Sequence, residues 1–286
     1  MDRSLRAGER KIDLSLPRCM GILNVTPDSF SDGSDLKKSG SPCFFVDLNK
    51  ALRKAESLVM EGADIIDVGG ESTRPGAAPV AVNEEMQRVI PVIKAIKENL
   101  DVCVSVDTSS AVVMMEAVSA GAEIINDVRA FSNSAALEFA SKTKAALCVM
   151  HMQGRPASMQ KSFHYDDLLG DVSSFLFARI QTLLDAGVTQ NRLVIDPGFG
   201  FGKSLQHNYQ LLKHLSFFQE LNLPIMVGIS RKSMIGDVVN RPAKERIYGS
   251  LAATVLALNN GASIIRTHDV SATMDSIRVH SLYQQA

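Results

Sequence analysis

The sequence predicts an α/β fold, a single (β/α)8 barrel of the TIM type. Eight short apolar runs recur along the 286 residues. Runs such as 65 to 67 and 193 to 196 show no polar alternation, which is typical of parallel strands covered on both faces. Each run ends in or just before polar residues, as strands do at the catalytic face of such a barrel. The strand ends are Asn24, Asp67, Asp107, Asn126, His151, Asp196, the group 230 to 232 and the group 266 to 268.

Helical periodicity fills the intervals between these strands. Apolar residues spaced three and four apart predict helices over about 48 to 59, 86 to 96, 112 to 118 and 167 to 186. Ser109 precedes the third of these segments and is predicted to cap it. Each helix then returns the chain in a right-handed crossover to the next parallel strand.

Two connections are longer than a minimal barrel needs. They follow strands 1 and 2, over residues 25 to 45 and 69 to 82, and long loops at the catalytic face often act as lids. Since barrels of roughly 250 residues form single units and no linker separates two cores, one domain is expected. We assign residues 17 to 286 to the barrel, and residues 1 to 16 to an N-terminal extension without an assigned function.

Composition excludes several partners. The formal net charge is −1 and there is no long basic run, so no nucleic-acid partner is expected. No apolar stretch approaches the roughly 18 residues of a membrane span, and the first eighteen residues contain no apolar core of a secretion signal. Cysteines occur at four positions without CxxC spacing, which predicts reduced thiols. They are Cys19, Cys43, Cys103 and Cys148. A cytoplasmic location is therefore expected.

Three strand ends together predict a binding slot for a flat ring. Asp107 and Asp196 supply carboxylates that accept from ring N–H and amino groups, while the Asn126 amide both donates and accepts. Taken singly, each also fits a turn or a helix cap, as in the segments 196 to 198 and 126 to 127. Their convergence at the end of one barrel favours a ligand.

A second group is cationic. Lys232, Arg266 and His268 converge on the same face and can hold an oxygen-rich anion such as a diphosphate. Asn24 offers a neutral oxygen to Mg²⁺, which keeps several waters and takes other oxygens from substrate phosphates. A purely structural role for His268 remains the alternative, because no other residue shares a metal-ligand spacing with it.

The glycine-rich stretch 198 to 204 resembles a nucleotide-binding loop only superficially. Pro197 occupies the position that the first glycine of a Walker loop must hold, and no GxGxxG pattern is present. Nucleotide binding is therefore disfavoured. Because the stretch follows the sixth predicted strand, we expect it to border the ring slot, with Phe201 as an aromatic wall.

Long ordered motifs give the chain a family resemblance from residue 17 to its end. The motifs are MGILNVTPDSFSDG (20 to 33), GGESTRPGA (69 to 77), SVDTS (105 to 109), IINDV (124 to 128), MHMQG (150 to 154), DPGFGFGK (196 to 203), SRKS (230 to 233) and RTHDV (266 to 270). Together they resemble dihydropteroate synthase, the sulfonamide-targeted enzyme of folate biosynthesis. That family joins (7,8-dihydropterin-6-yl)methyl diphosphate to 4-aminobenzoate with Mg²⁺ present and releases diphosphate.

The resemblance also implies a homodimer and a role for each matching residue. It implies catalysis by Asp107, Lys232 and Arg266. It implies a pterin site of Asp107, Asn126, Met150, Asp196, Phe201, Gly228, Lys232 and Arg266. It implies a diphosphate site of Asn24, Arg266 and His268, with Asn24 as a ligand of Mg²⁺. It implies an aminobenzoate site of Phe30, Thr73, Arg74, Pro75, Phe201 and Ser233.

One position departs from the family pattern, since Ser34 stands where a second glycine is expected after Gly33. Three alternative functions remain to be distinguished from this one. A methyltetrahydrofolate-dependent methyltransferase barrel would use a similar ring slot but needs no diphosphate clamp. A non-catalytic pterin-binding paralogue would be expected to lack part of that clamp. A phosphate-binding aldolase would use a strand-end lysine such as Lys232 for a Schiff base, but no sugar-phosphate partner accompanies it.

Overall fold

The computed structural model describes residues 4–27, 35–38, 44–72, 80–154, 159 and 163–286. Its strands are β1 (Ser4–Ala7), β2 (Arg10–Asp13), β3 (Arg18–Asn24), β4 (Ile65–Gly69), β5 (Cys103–Asp107), β6 (Ile124–Asp127), β7 (Ala146–Met150), β8 (Leu193–Asp196), β9 (Met226–Val227) and β10 (Ile264–Thr267). Its helices are α1 (Leu48–Met60), α2 (Val82–Asn99), α3 (Ala111–Ser119), α4 (Ser134–Lys142), α5 (Leu168–Asp185), α6 (Leu205–Lys213), α7 (Ser233–Val239), α8 (Ile247–Asn259) and α9 (Val270–Gln285). Short 3-10 turns add Gln190–Arg192, Leu215–Leu221 and Ala243–Glu245.

Eight parallel strands form the barrel in the order β8-β7-β6-β5-β4-β3-β10-β9. The two ends of this order meet just before β9, where Ile195 and Ile225 form a parallel bridge. The backbone N–H of Ile195 also donates to the carbonyl of Pro224 at 3.0 Å. The predicted (β/α)8 barrel is thereby confirmed. The long loops after β3 and β4 lie partly outside the described residues.

The strand register brings polar residues of neighbouring strands to one level. Asn24 pairs with Gly69, Gly69 with Asp107, and Asp107 with Asn126. On the other side of the barrel, Met150 pairs with Asp196. Since all these residues end parallel strands, their side chains border one end of the barrel, where βα-loops carry function.

A hairpin of β1 and β2 closes the opposite end. Leu5, Ala7, Ile12 and Leu14 are buried in one cluster with residues near the start of the barrel strands, among them Met20. Apolar burial of this kind is the main stabilising contribution to folding. The assignment of residues 1 to 16 to a separate extension stays a prediction, but the described part of this segment packs into the barrel core.

Three cysteines are free, as predicted, and they are also buried, namely Cys19, Cys103 and Cys148, whereas Cys43 lies outside the described residues. Burial raises the pKa of Cys19 to about 12, so this thiol is unreactive at neutral pH. A search of the described helices finds none with the length and apolarity needed to cross a bilayer.

Candidate active site

An arginine bound by two carboxylates lies at the C-terminal end of the barrel. Arg266 on β10 donates from Nε to Asp67 Oδ2 at 2.6 Å and from a terminal nitrogen to Asp107 Oδ2 at 2.8 Å. Asp67 is fully buried and Asp107 is 8% exposed. Burial alone would lower the pKa of Arg266, but the two carboxylates raise it above its usual value. The guanidinium is therefore a fixed positive charge.

Burial acts on Asp107 in the opposite sense. It raises the pKa of this carboxyl to about 7, although Arg266 pulls it down. A carboxyl with such a pKa changes charge within the physiological range. Perturbed groups of this kind gather at functional sites.

Asp67 was predicted only as the end of an apolar run, without a functional role. In the structure it binds Arg266, and it also accepts from Asn126 Nδ2 at 3.4 Å. Its other carboxylate oxygen and Oδ1 of Asn126 are buried without a hydrogen-bond partner among the described residues. Buried acceptors normally have hydrogen-bond donors, so these two unpartnered oxygens indicate that a bound ligand donates hydrogen bonds to them.

A second carboxylate and cation face this group. Burial raises the pKa of Asp196, while Lys232 lowers it and the Gly198 N–H donates to Asp196 Oδ1 at 2.7 Å. Burial lowers the pKa of Lys232 to about 8, against the attraction of Asp196. Asp196 and Arg266 also act on each other's pKa. The charged groups of the predicted ring slot and of the predicted anion clamp therefore lie within electrostatic range of one another.

Apolar side chains border the slot beside Asp196. Met150, at the end of β7, packs with Phe201, Val128 and Met159 in one buried cluster. Lys232 Nζ lies 4.7 Å from the centroid of the Phe201 ring, which places the cation over its face. This wall can cover one face of a flat heterocycle.

A missing side chain at Gly228 leaves room between the two cations. A Cβ atom added there would lie 3.8 Å from Arg266 Cβ and 4.0 Å from Lys232 Nζ. A substrate can therefore approach Lys232 and Arg266 from the same side.

His268 and Asn24 lie at the predicted anion clamp. The His268 ring contacts Ser230, with 3.2 Å between Nδ1 and Oγ. A Cβ atom added to Gly69 would lie 3.5 Å from Asn24 Oδ1 and 3.8 Å from Asp107 Oδ2, so these two oxygens border one small space. Among the described residues, no three His, Cys, Asp or Glu side chains are grouped to hold a metal. Oxygen ligands suit Mg²⁺, which needs few protein ligands when phosphates complete its shell.

The predicted aminobenzoate residues are described only in part. Ser233 begins α7 directly after Lys232 and is exposed. Phe30, Thr73, Arg74 and Pro75 lie outside the described residues, as does the divergent Ser34.

Comparisons with known proteins decide the family. Residues 20–268 match the pterin-binding enzyme family. The dihydropteroate synthase of Escherichia coli (strain K12) is 51% identical over 268 residues, which is 94% of this chain and 92% of that one. The chain belongs to the dihydropteroate synthases. The function expected from the sequence motifs, dihydropteroate synthesis by a transferase, is confirmed.

Two solved structures of dihydropteroate synthases share the fold over nearly the whole length. The enzyme from Yersinia pestis, in complex with a sulfonamide drug, has a TM-score of 0.94 and 48% identity, covering 99% of this chain and 100% of that one. The enzyme from Xanthomonas albilineans, with 4-aminobenzoic acid, has a TM-score of 0.90 and 43% identity, with full coverage of both chains. The methyltransferase, binding-paralogue and aldolase alternatives lose their support.

Proposed function

We propose that the C-terminal end of the barrel is the site where this dihydropteroate synthase joins (7,8-dihydropterin-6-yl)methyl diphosphate to 4-aminobenzoate. The observation that carries the proposal is the position of Arg266 between Asp67 and Asp107, with Asp196 and Lys232 close enough to interact electrostatically with Arg266. The carboxylates can bind the pterin half of the substrate, and the cations can bind its diphosphate half.

The carboxylates suit the pterin ring. Asp107 and Asp196 accept from its amino and ring N–H groups, and the unpartnered Asn126 Oδ1 provides one more acceptor. Lys232 donates to the ring's carbonyl oxygen or ring nitrogen, while Met150 and Phe201 cover one face. The space beside Gly228 admits the ring between the cations.

The clamp suits the diphosphate. Arg266 presents a fixed charge on β10, His268 follows the end of the same strand, and Asn24 ends the neighbouring strand β3. We assign Asn24 as the protein ligand of Mg²⁺, which when bound would neutralise charge that develops on the leaving diphosphate. The oxygens of Asn24 and Asp107, which both border the space beside Gly69, are of the type that this ion prefers.

The reaction needs no covalent intermediate with the protein. The bond between the pterin methylene carbon and the diphosphate oxygen breaks, and the diphosphate leaves with the electron pair. Asp107 and Asp196 stabilise the resulting pterin cation electrostatically. The amine nitrogen of 4-aminobenzoate then bonds to the methylene carbon and loses a proton. Arg266 and Lys232 stabilise the negative charge that develops on the departing diphosphate in the transition state.

The second substrate enters beside the helix that Lys232 precedes. We propose that Ser233, with Thr73, Arg74, Pro75, Phe30 and Phe201, forms the aminobenzoate site. The positive end of the helix dipole at the start of α7 favours its carboxylate. A sulfonamide, being an analogue of this substrate, would compete there.

We further propose a cytoplasmic homodimer. The exposed faces of α8 and α9 carry large apolar side chains, a feature of protein interfaces. These are Tyr248 (82% exposed), Leu256 (50%), Val279 (69%), Leu282 (71%) and Tyr283 (69%). Light scattering on the purified protein tests this. The mass of a single chain at micromolar concentration would contradict it.

The test of the site is direct. Purified protein is mixed with Mg²⁺, the pterin diphosphate and 4-aminobenzoate, and 7,8-dihydropteroate and diphosphate are quantified together. Equal amounts of both products are expected from the wild type, and little of either from Asp196→Ala. Wild-type product formation by that variant would contradict the proposed pterin site.

A further inference from the structure

The loop between β8 and α6 contains a buried lysine to which the reaction assigns no role. Lys203 is 2% exposed. Its Nζ atom contacts three acceptors, namely Nδ1 of His151 at 2.9 Å, the Gly198 carbonyl at 2.9 Å and the Phe201 carbonyl at 3.1 Å. An ammonium has three N–H donors, so every donor of Lys203 is used inside the protein.

The backbone of this loop is shaped so that its carbonyls face side chains. Gly198, Gly200 and Gly202 all have positive φ, at 75°, 81° and 61°, which only glycine adopts at little cost. A Cβ atom at Gly198 would lie 1.8 Å from the His151 carbonyl oxygen, so the loop backbone packs directly against the segment after β7.

Side chains also bind three other backbone groups of this loop. The Phe199 carbonyl accepts from Lys232 Nζ at 2.6 Å, and the Gly202 carbonyl accepts from the Tyr165 hydroxyl at 2.8 Å. The Gly200 N–H donates to Asn208 Oδ1 at 2.6 Å. The loop that Lys203 fixes is thus the same loop that contacts Lys232 and carries Phe201.

We propose that Lys203 is a positioning residue of the pterin site. Its amine draws the carbonyls of Gly198 and Phe201 together and thereby fixes the Phe201 ring and the acceptor of Lys232. The inference rests on the proposed pterin site, because both residues through which Lys203 acts belong to it.

The arrangement is preserved in either charge state of the lysine. Burial lowers the pKa of His151 to about 2. Burial also lowers the pKa of Lys203 to about 7, although the Asp196 carboxylate acts to raise it. A charged Lys203 donates to the lone pair on Nδ1 of His151. A neutral Lys203 can keep both carbonyl contacts and accept a hydrogen from Nδ1 of the other His151 tautomer.

The test compares two lysine variants and one tyrosine variant. Lys203→Met removes the donors but keeps an unbranched buried chain, and Lys213→Met, at the exposed end of α6, is its control. We expect Lys203→Met to raise KM for the pterin diphosphate at least about tenfold and KM for 4-aminobenzoate less than about twofold. Lys213→Met should match the wild type. Tyr165→Phe, which frees only the Gly202 carbonyl, should raise the pterin KM by about threefold.

A double variant tests whether Lys203 acts through Lys232. In a Lys232→Ala background, the effect of Lys203→Met should be clearly smaller than in the wild type, because both lysines bind carbonyls of one loop and residues that act through the same backbone are energetically coupled. An unchanged pterin KM in Lys203→Met overturns the proposal, as does an equal rise for both substrates. If Lys203→Met does not fold, an unchanged pterin KM in Tyr165→Phe overturns it instead. A wild-type pterin KM in Lys232→Ala alone would show that the proposed pterin site is wrong, a different failure.

Discussion

Asp67 and Arg266 are 199 residues apart in the sequence, yet Asp67 Oδ2 lies 2.6 Å from Arg266 Nε. They belong to β4 and β10, which are separated by β3 in the barrel. The Arg266 side chain therefore spans β3 to reach a fully buried carboxylate, and its terminal nitrogen donates to Asp107. A guanidinium held in this way needs little reorganisation when an anion forms beside it.

Asp67→Asn should destabilise the protein and reduce turnover. It removes the charge partner of a mostly buried arginine, for which we expect a loss of about 3 kcal/mol in the free energy of unfolding. Urea denaturation measures this loss. Asp275→Asn, which breaks the exposed pair with Arg278, is the control and should change stability little. If the two variants lost equal amounts of unfolding free energy, the contact of Asp67 with Arg266 would contribute no more to stability than an exposed ion pair.

Asp107→Ala and Lys232→Ala should each depress turnover strongly while the fold stays intact. Each loses a charge-assisted contact, which is worth about 1.5 to 3 kcal/mol, or roughly 10- to 150-fold in rate. Diphosphate release measures turnover and circular dichroism reports the fold. Wild-type turnover in either variant would contradict the role proposed for it.

The rate should depend on pH in a bell shape. Below the raised pKa of Asp107, about 7, the carboxyl carries a proton and no longer accepts from the pterin, so kcat/KM rises with pH through this value. Above the lowered pKa of Lys232, about 8, the amine loses its charge and kcat/KM falls. The measurement is kcat/KM for the pterin diphosphate at saturating 4-aminobenzoate. A flat profile across both values would contradict the assignment.

Asn24→Ala should weaken the dependence of the reaction on Mg²⁺. Removal of one oxygen ligand lowers the affinity for the ion, so the concentration that gives half-maximal activity should increase several-fold. A titration with Mg²⁺ at fixed substrate concentrations measures this. A curve that coincides with that of the wild type would exclude Asn24 as the ligand.

The sequence allowed the barrel and most strand-end residues to be predicted, because apolar runs mark buried strands and parallel strands end at one face. Asp107, Asn126, Asp196 and Arg266 were named on this basis. The partners of these residues were not predictable. The contact between Asp67 and Arg266 depends on strand order and side-chain reach, neither of which local periodicity contains.

Local signals also proved ambiguous where a residue had two possible partners. The cap predicted at Ser109 is wrong, since α3 begins at Ala111 with Ser110 at its N-cap, and the Ser109 hydroxyl donates to Asp127 instead. Lys203 belongs to the glycine-rich motif of residues 198 to 204, but its burial depends on the path of the loop, which the sequence does not reveal. Polar side chains choose between local and distant partners according to tertiary packing.

The central claim is that one cavity holds the two halves of a single pterin ester, and equilibrium binding of its separate halves tests it most directly. Titration calorimetry would compare the pterin alcohol and diphosphate with Mg²⁺ on wild type, Asp196→Ala and His268→Ala. We expect Asp196→Ala to bind the alcohol more weakly but diphosphate normally. We expect His268→Ala to bind diphosphate more weakly but the alcohol normally. Both variants should bind the intact ester more weakly than the wild type. Wild-type affinity for the ester in either variant would contradict the account.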